Sequence, residues 1–354
     1  MISEINIADV FELNWPVIDV RSPGEYEKGH IPGTHNVPLF SNEERAHVGT
    51  VYKQQSKEAA IKAGYQYVTP KLQHFIDCAK NLAPDGKVVV HCWRGGMRSR
   101  SFAQHLSDNG FGEVKIATGG YKAYRNHVLN AFEQKAELMV LGGYTGSGKT
   151  PILYELKKAG HQVIDLEGLA HHKGSAFGGI GQAEQPTVEQ FENQLYEVWR
   201  QLDLNAPIWI EDESHNIGAV KLPMPLFRQI RTSTLYFIDI PREERVKHLV
   251  EDYAACDKEK LAASIQRISK RLGGQNVNEA LNLLEQNQFD QVAFITLHYY
   301  DKSYTKGMNM RNSPKLKLPL RDTNAARNAA LLLQFAKSQI KAETASELDQ
   351  SQNS

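Results

Sequence analysis

The residues best suited to chemistry are His-Cys-Trp-Arg-Gly-Gly-Met-Arg-Ser, positions 91–99, directly after the apolar run Val88-Val89-Val90. This places Cys92 at the end of a buried strand, opening a loop that contains Gly95 and Gly96 between Arg94 and Arg98. The two glycines let backbone N–H groups turn inward, and the two arginines add fixed positive charge. Such a setting cradles an anion and holds a thiol as the reactive thiolate below its free pKa of about 8.5. A cysteine buried only as a small apolar side chain is the competing reading, but core cysteines are rarely followed by Arg-Gly-Gly-Met-Arg-Ser.

A second constellation begins after the apolar stretch Glu137–Gly142. Gly143-Tyr-Thr-Gly-Ser-Gly-Lys-Thr150 matches G-x-x-x-x-G-K-[ST] at every position. In this pattern Gly143, Gly146, Ser147 and Gly148 turn successive N–H groups toward a diphosphate. Lys149 reaches its oxygens, and Thr150 is placed to ligate Mg²⁺. The helix expected from Pro151 to Ala159 turns its positive end toward the same anion. Downstream, Glu211-Asp212-Glu213 closes a predicted strand, and Glu211 or Asp212 stands where a second metal-coordinating acid belongs. A solvated acidic strand end is the equal alternative. His171 and His172 are adjacent and point in different directions, so the segment around them reads as a substrate-contacting loop and not as a zinc site. No tight protein-held metal site is expected.

Upstream of Cys92, Val17-Ile-Asp-Val-Arg21, Ser22-Pro-Gly-Glu-Tyr26, Gly29-His-Ile-Pro-Gly-Thr34 and Asn36-Val-Pro38 form a pattern that closely resembles the rhodanese domain. That domain is a small α/β module whose cysteine carries a chalcogen atom. The resemblance implies that Cys92 is the acceptor, and that Asp19–Arg21 and the Gly-His-Ile-Pro segment are structural. One departure is informative. Sulfur-transferring rhodaneses usually have four residues between cysteine and the closing arginine, whereas five separate Cys92 from Arg98. A C-x5-R loop is the wider cradle of cysteine-dependent phosphatases, sized for a tetrahedral phosphate-like oxyanion.

These sites require two parallel α/β frameworks. Predicted strands at 162–166, 207–211 and 235–240 alternate with helix-length polar segments, which implies a parallel sheet with crossover helices. The expected fold class is α/β: an N-terminal rhodanese-like parallel-sheet domain over 10–132, then a P-loop NTPase-like α/β domain over 136–335. The 354 residues suit two domains. The polar segment 341–354, without aromatics, reads as a disordered tail. Three cysteines, Cys78, Cys92 and Cys256, build no disulfide framework, and Cys78 fits a helical apolar pattern. The amino terminus lacks a leader pattern and no apolar run approaches about 18 residues, so no membrane partner and a reduced, cytoplasmic setting are expected.

Lys+Arg 41 against Asp+Glu 41 gives a formal net charge of +0, so no global field draws nucleic acid. Local charge is more telling. Lys302, Lys306, Arg311, Lys315 and Lys317 lie near Tyr299, Tyr300 and Tyr304, and Arg267 and Arg271 form a second basic stretch. Basic groups pair with phosphates and aromatic faces stack on unpaired bases; a solvated basic face is the even alternative.

A rhodanese module followed by a P-loop module, carrying HCWRGGMRS and GGYTGSGKT, resembles the tRNA 2-selenouridine synthase family. The resemblance implies conversion of a wobble 2-thiouridine in the anticodon of certain tRNAs to 2-selenouridine. It further implies selenophosphate as donor and an S-geranyl intermediate made from geranyl diphosphate, with Mg²⁺ on the diphosphate. In that scheme Cys92 takes selenium as a selanyl-cysteine while Arg94, Gly95, Gly96 and Arg98 hold the phosphate. The enzyme that produces selenophosphate is a further partner. Two other classes remain open: a cysteine-dependent phosphatase, and a sulfur-carrier rhodanese, each with a regulatory nucleotide domain.

Overall fold

A computed structural model describes residues 1–254 and 256–352, with side chains described for 1–251 and 256–342. The chain divides into two compact units, Met1–Phe132 with Glu189–Glu197, and Glu133–Val188 with Val198–Ser354.

The first unit is built on β1 (Ile2–Ile5), β2 (Val17–Asp19), β3 (His35–Asn36), β4 (Lys87–His91) and β5 (Glu113–Ala117), in the order β1-β5-β4-β2-β3. Every pairing is parallel. Val88, Val89 and Val90 of the central β4 are fully buried, as a strand covered on both faces must be. Phe75, Ile76, Phe102 and Leu106 pack over one of those faces. β1 lies outside the expected start at residue 10. Its four residues carry no distinctive pattern, and pairing with β5 defines it.

This unit is completed by a segment remote in sequence. Residues 189–197, part of the helix Val188–Trp199, lie against the helix Gly120–Ala131. Asn193 donates to the Tyr121 hydroxyl and to the His30 carbonyl, 2.8 Å each, and Tyr121 donates to Glu189 at 2.8 Å. Arg125 pairs with Glu192.

The second unit contains β6 (Leu138–Gly143), β7 (Gln162–Ile164), β8 (Ile208–Glu211), the antiparallel pair β9 (Asn216–Ile217) and β10 (Val220–Lys221), β11 (Leu235–Asp239) and β12 (Lys315–Pro319). Its main sheet has the order β12-β11-β6-β8-β7 and is wholly parallel. The three strands read from sequence after the P-loop are present, and β6 sits at the centre.

β12 gives the basic run its local structure. Lys315 and Lys317, read as part of an RNA-facing run, belong to an edge strand whose residues alternate outward and inward. Lysines on an exposed edge also discourage pairing with another chain. Lys315 donates to the Arg311 carbonyl at 2.7 Å, and Lys317 pairs with Asp239 at 2.7 Å. The helix Ala325–Gln352 runs through most of the segment expected to be disordered, whose composition favours helix. Much of that segment falls outside the described side chains, and Asn353 and Ser354 lie outside the described residues. Among the described residues, no helix is long and apolar enough to cross a membrane.

Candidate active sites

Cys92 directly follows β4 and is buried, with 3 % of its surface exposed. The loop after it is pinned from below. Tyr121 N–H donates to the Cys92 carbonyl and Lys122 N–H to the Trp93 carbonyl, both at 2.9 Å. That approach requires Gly120, whose φ is +55°, because a Cβ there would collide with the Cys92 carbonyl oxygen. Gly95, at φ +65°, is constrained alike: a Cβ would lie 2.6 Å from the Ala117 carbonyl. The helix Met97–Asp108 starts at the end of the loop, aiming its unpaired N–H groups into the cradle.

The electrostatics favour a thiolate. Burial acts to raise the Cys92 thiol, but opposing contacts outweigh it and leave it below the ordinary thiol value. They are the Ser99 hydroxyl, the Arg98 charge and the backbone N–H groups of Arg94 and Ser99. Ser99 Oγ lies 3.3 Å from Cys92 Sγ and 3.0 Å from the Gly96 carbonyl. Once the thiol is ionised, the contact is served by the serine's single proton, which then turns from the Gly96 carbonyl to the sulfur.

Arg98 is fixed by Glu25 through two parallel bonds of 2.7 and 3.3 Å. Glu25 also accepts from Ser22 N–H in a capping box at the start of the helix Pro23–Lys28. Burial would raise the Glu25 carboxyl, yet the Arg98 hydrogen bond and charge hold it below the usual range. Arg94 acts on Cys92 through its backbone, and its side chain is exposed. The expected cradle residues Cys92, Gly95, Gly96 and Arg98 are therefore together, with Arg94 contributing an N–H in place of a charge. Ser99, Glu25 and Gly120 were not singled out. The capping pattern Ser22-x-x-Glu25 was a signal, but its link to Arg98 spans a fold-dependent distance.

Behind the cradle, Asp19 and Arg21 form a buried pair at 2.6 Å, and Arg21 caps the Gly29 carbonyl at 2.8 Å. Asn36 donates to the carbonyls of Asp19 and Arg21. These bonds brace the sheet. Cys78 packs beside the core of this unit, and Cys256 beside a core of the other.

The second site follows β6. The helix Lys149–Lys158 begins two residues before the expected start, because Lys149 and Thr150 form its first turn after the left-handed Gly148. Ser147 donates to the Tyr144 carbonyl at 2.6 Å and Lys149 to the Gly143 carbonyl at 3.2 Å, closing the loop on itself. Thr150 Oγ1 donates to Glu167 at 2.9 Å.

The two candidate acids differ. Asp212 is committed elsewhere: Arg311 Nη1 lies at 2.5 Å, the Tyr304 hydroxyl at 2.8 Å and Arg231 at 3.4 Å. Arg311 is itself buried, so the structure assigns it to this pair and not to a surface that RNA could reach. Glu211 is fully buried. One oxygen accepts from Leu166 N–H at 2.7 Å, and the other has no partner. Burial, then Glu167, Asp165 and Glu213, push its carboxyl well above the usual range. Glu213 is raised likewise, by burial and by Glu167, with which it shares a hydrogen bond, while Lys149 opposes the shift. Glu167 and Glu213 thus stand beside Thr150 and Lys149, and Glu167 is a residue that sequence reasoning missed. Among the described residues, no group of three or more His, Cys, Asp or Glu could hold a metal by itself.

Of the remaining basic candidates, Lys302 and Lys306 are exposed on the helix Phe289–Asn309. Arg267 is exposed, and Arg271 donates to the Tyr299 hydroxyl at 3.1 Å. His171 ends the helix Leu166–Ala170 in left-handed geometry, with Nδ1 2.8 Å from the Glu184 carbonyl.

Known proteins match along both units. The family model described as a rhodanese-like domain matches residues 7–127. The model described as the tRNA 2-selenouridine synthase AAA domain matches residues 136–318. A tRNA 2-selenouridine synthase of Nitrosomonas europaea is 33% identical over 86% of this chain and 92% of its own length. One of Hydrogenovibrio crunogenus is 35% identical over 84% and 90% respectively. One of Bdellovibrio bacteriovorus is 40% identical over 70% and 66%. With the thiolate cradle and the P-loop in this order, and relatives aligned across both, the chain belongs to the tRNA 2-selenouridine synthase family.

Proposed function

We propose that this protein is a transferase that replaces the sulfur of a 2-thiouridine in the tRNA anticodon with selenium, using both sites in sequence. The P-loop unit binds geranyl diphosphate and alkylates the thiocarbonyl sulfur. The cysteine loop then opens selenophosphate, and selenium displaces geranyl thiol at the activated ring carbon. The order follows from reactivity. A thiocarbonyl sulfur is a poor leaving group, and S-alkylation makes the attached carbon electrophilic and the thiol expellable. The observation that carries the proposal is the pair of anion cradles in one chain. One is built around a stabilised thiolate, the other around a lysine beside a P-loop.

In the first step Lys149 and the helix N-terminus offset charge developing on departing diphosphate. Mg²⁺ fits this site: Thr150, Glu167 and Glu213 are adjacent, and the buried Glu211 carries an unpartnered oxygen. Diphosphate oxygens would complete its shell, as is common for this ion. When bound it would neutralise diphosphate charge. In the second step Cys92 is the nucleophile, and Arg98 with the loop N–H groups holds the phosphorus oxyanion.

Lys302, Lys306, Arg267 and Arg271 are the exposed cations offered for tRNA backbone contact, with Lys315 and Lys317 at the sheet edge. Selenophosphate is short-lived in oxidising surroundings, which supports a cytoplasmic setting and supply by a selenophosphate-producing enzyme.

The test is reconstitution. Purified protein is incubated with 2-thiouridine RNA, selenophosphate and geranyl diphosphate, and the nucleosides are analysed by mass spectrometry. Selenouridine should form with all three present, and S-geranyl-2-thiouridine when selenophosphate is omitted. Release of phosphate from aryl phosphates, with no change in the RNA, would favour a phosphatase instead.

A further inference from the structure

We propose that Cys92 attacks the phosphorus of selenophosphate and not its selenium. The phosphoryl group then sits on Cys92, and hydrogen selenide is released beside the acceptor. The inference rests on selenophosphate being the donor, and it replaces the selanyl-cysteine expected from the rhodanese resemblance.

Cradle geometry is the first support. Five residues between Cys92 and Arg98 give a loop as wide as those that seat a tetrahedral phosphoryl group over a thiolate. Backbone N–H groups of Arg94 and Ser99 reach Cys92, the N-terminus of the helix Met97–Asp108 closes the ring, and Glu25 fixes the Arg98 fork at its rim. These donors suit three equatorial phosphoryl oxygens, and a phosphoryl group held by them would present its phosphorus to the sulfur beneath.

Electron balance is the second. If the thiolate attacked selenium, the selenium–phosphorus electrons would leave on phosphorus as phosphite. A selanyl sulfur that had delivered its selenium to carbon would then need an external thiol to break the sulfur–selenium bond. Attack at phosphorus needs neither. The Cys92 sulfur–phosphorus bond forms, the phosphorus–selenium bond breaks, and its electron pair leaves with selenium as hydrogen selenide. Selenide attacks the S-alkylated ring carbon, the carbon–sulfur bond breaks, and the proton on selenium passes to the departing geranyl thiolate. Water then attacks phosphorus, the sulfur–phosphorus pair returns to Cys92, and phosphate leaves. No element changes oxidation state.

The third support is where the proton donors stand. Ser99 Oγ, 3.3 Å from Cys92 Sγ, stabilises the thiolate both as nucleophile and, in the last step, as leaving group. Selenide departs without protonation, whereas an alkoxide would require an acid. The neighbouring carboxylates are engaged: Glu25 holds Arg98, and Asp19 holds Arg21. The loop is thus suited to phosphorus bonded to sulfur or selenium and ill suited to alkyl phosphate esters. Inorganic thiophosphate should act as a slow analogue, releasing sulfide and phosphate.

The experiment uses the full chain without RNA and two preparations of selenophosphate, one carrying radiophosphorus and one radioselenium. Each reaction is quenched, and the peptide containing Cys92 is isolated. Radiophosphorus should remain on Cys92 after treatment with dithiothreitol, radioselenium should appear as selenide in an alkylating trap, and the phosphorus product should be phosphate. In Ser99→Ala the phosphorus adduct should accumulate, its hydrolysis slowed about tenfold or more by loss of a hydrogen bond to the departing thiolate. Radioselenium on Cys92, removed by dithiothreitol, with phosphite in solution, would overturn the inference and leave the donor assignment standing. Neither label on Cys92 would overturn the donor assignment as well.

Discussion

At the residue scale, the contacts around Cys92 outweigh its burial and favour the thiolate. Arg98 and two backbone N–H groups supply positive potential, and Ser99 supplies a hydroxyl at 3.3 Å. Since the thiol is held below its ordinary value, its alkylation rate by iodoacetamide should persist at pH values where a free cysteine has become inert. The rate should fall only as pH drops through the lowered pKa. Removing the serine hydroxyl removes one stabiliser of the charged form, so Ser99→Ala should move that midpoint upward by about one unit. An unmoved midpoint would assign the stabilisation to Arg98 and the backbone alone. Cys78 and Cys256 pack beside hydrophobic cores. Cys78→Ser and Cys256→Ser should each retain most selenation activity, measured as 2-selenouridine formed.

At the scale of elements, what was legible in the sequence was what local pattern encodes. The Val88–Val90 run gave β4, the glycine-rich G-x-x-x-x-G-K-T segment gave a strand, loop and helix, and alternation gave a parallel sheet. Contacts between distant segments were not legible. Nothing in Glu25 announces Arg98, nothing in Asp212 announces Arg311, and nothing in 189–197 announces Tyr121. The basic run 302–317 shows the cost of reading charge alone. Arg311 is spent on Asp212 inside the second unit, while Lys315 and Lys317 line an edge strand. Their variants should therefore separate. Arg311→Ala leaves the buried Asp212 with only the Tyr304 hydroxyl and a longer contact to Arg231, and should lower unfolding stability by up to about 3 kcal/mol, read by urea denaturation. Lys315→Glu with Lys317→Glu should cost little stability. If these lysines touch tRNA, that double variant should weaken binding and flatten its salt dependence. An unchanged slope would move the contact to Lys302, Lys306, Arg267 or Arg271. In the P-loop, Lys149→Ala should slow geranyl transfer by well over tenfold while a supplied S-geranylated RNA is still selenated. Equal loss in both assays would give the loop a role in RNA binding or folding.

At the scale of the molecule, each unit holds one of the two proposed anion sites, and the account requires that they act on one nucleoside in turn. Residues 189–197, although they follow the P-loop in the chain, complete the unit that holds Cys92, so the two halves are not cleanly separable in sequence. The account rests on alkylation being independent of Cys92 and on selenium transfer requiring it. The most direct measurement incubates purified Cys92→Ser with 2-thiouridine RNA, geranyl diphosphate and selenophosphate, and follows nucleosides by mass spectrometry beside the wild type. The wild type should yield 2-selenouridine, whereas Cys92→Ser should stop at S-geranyl-2-thiouridine, formed at the wild-type rate. Formation of 2-selenouridine by Cys92→Ser at the wild-type rate would contradict the account.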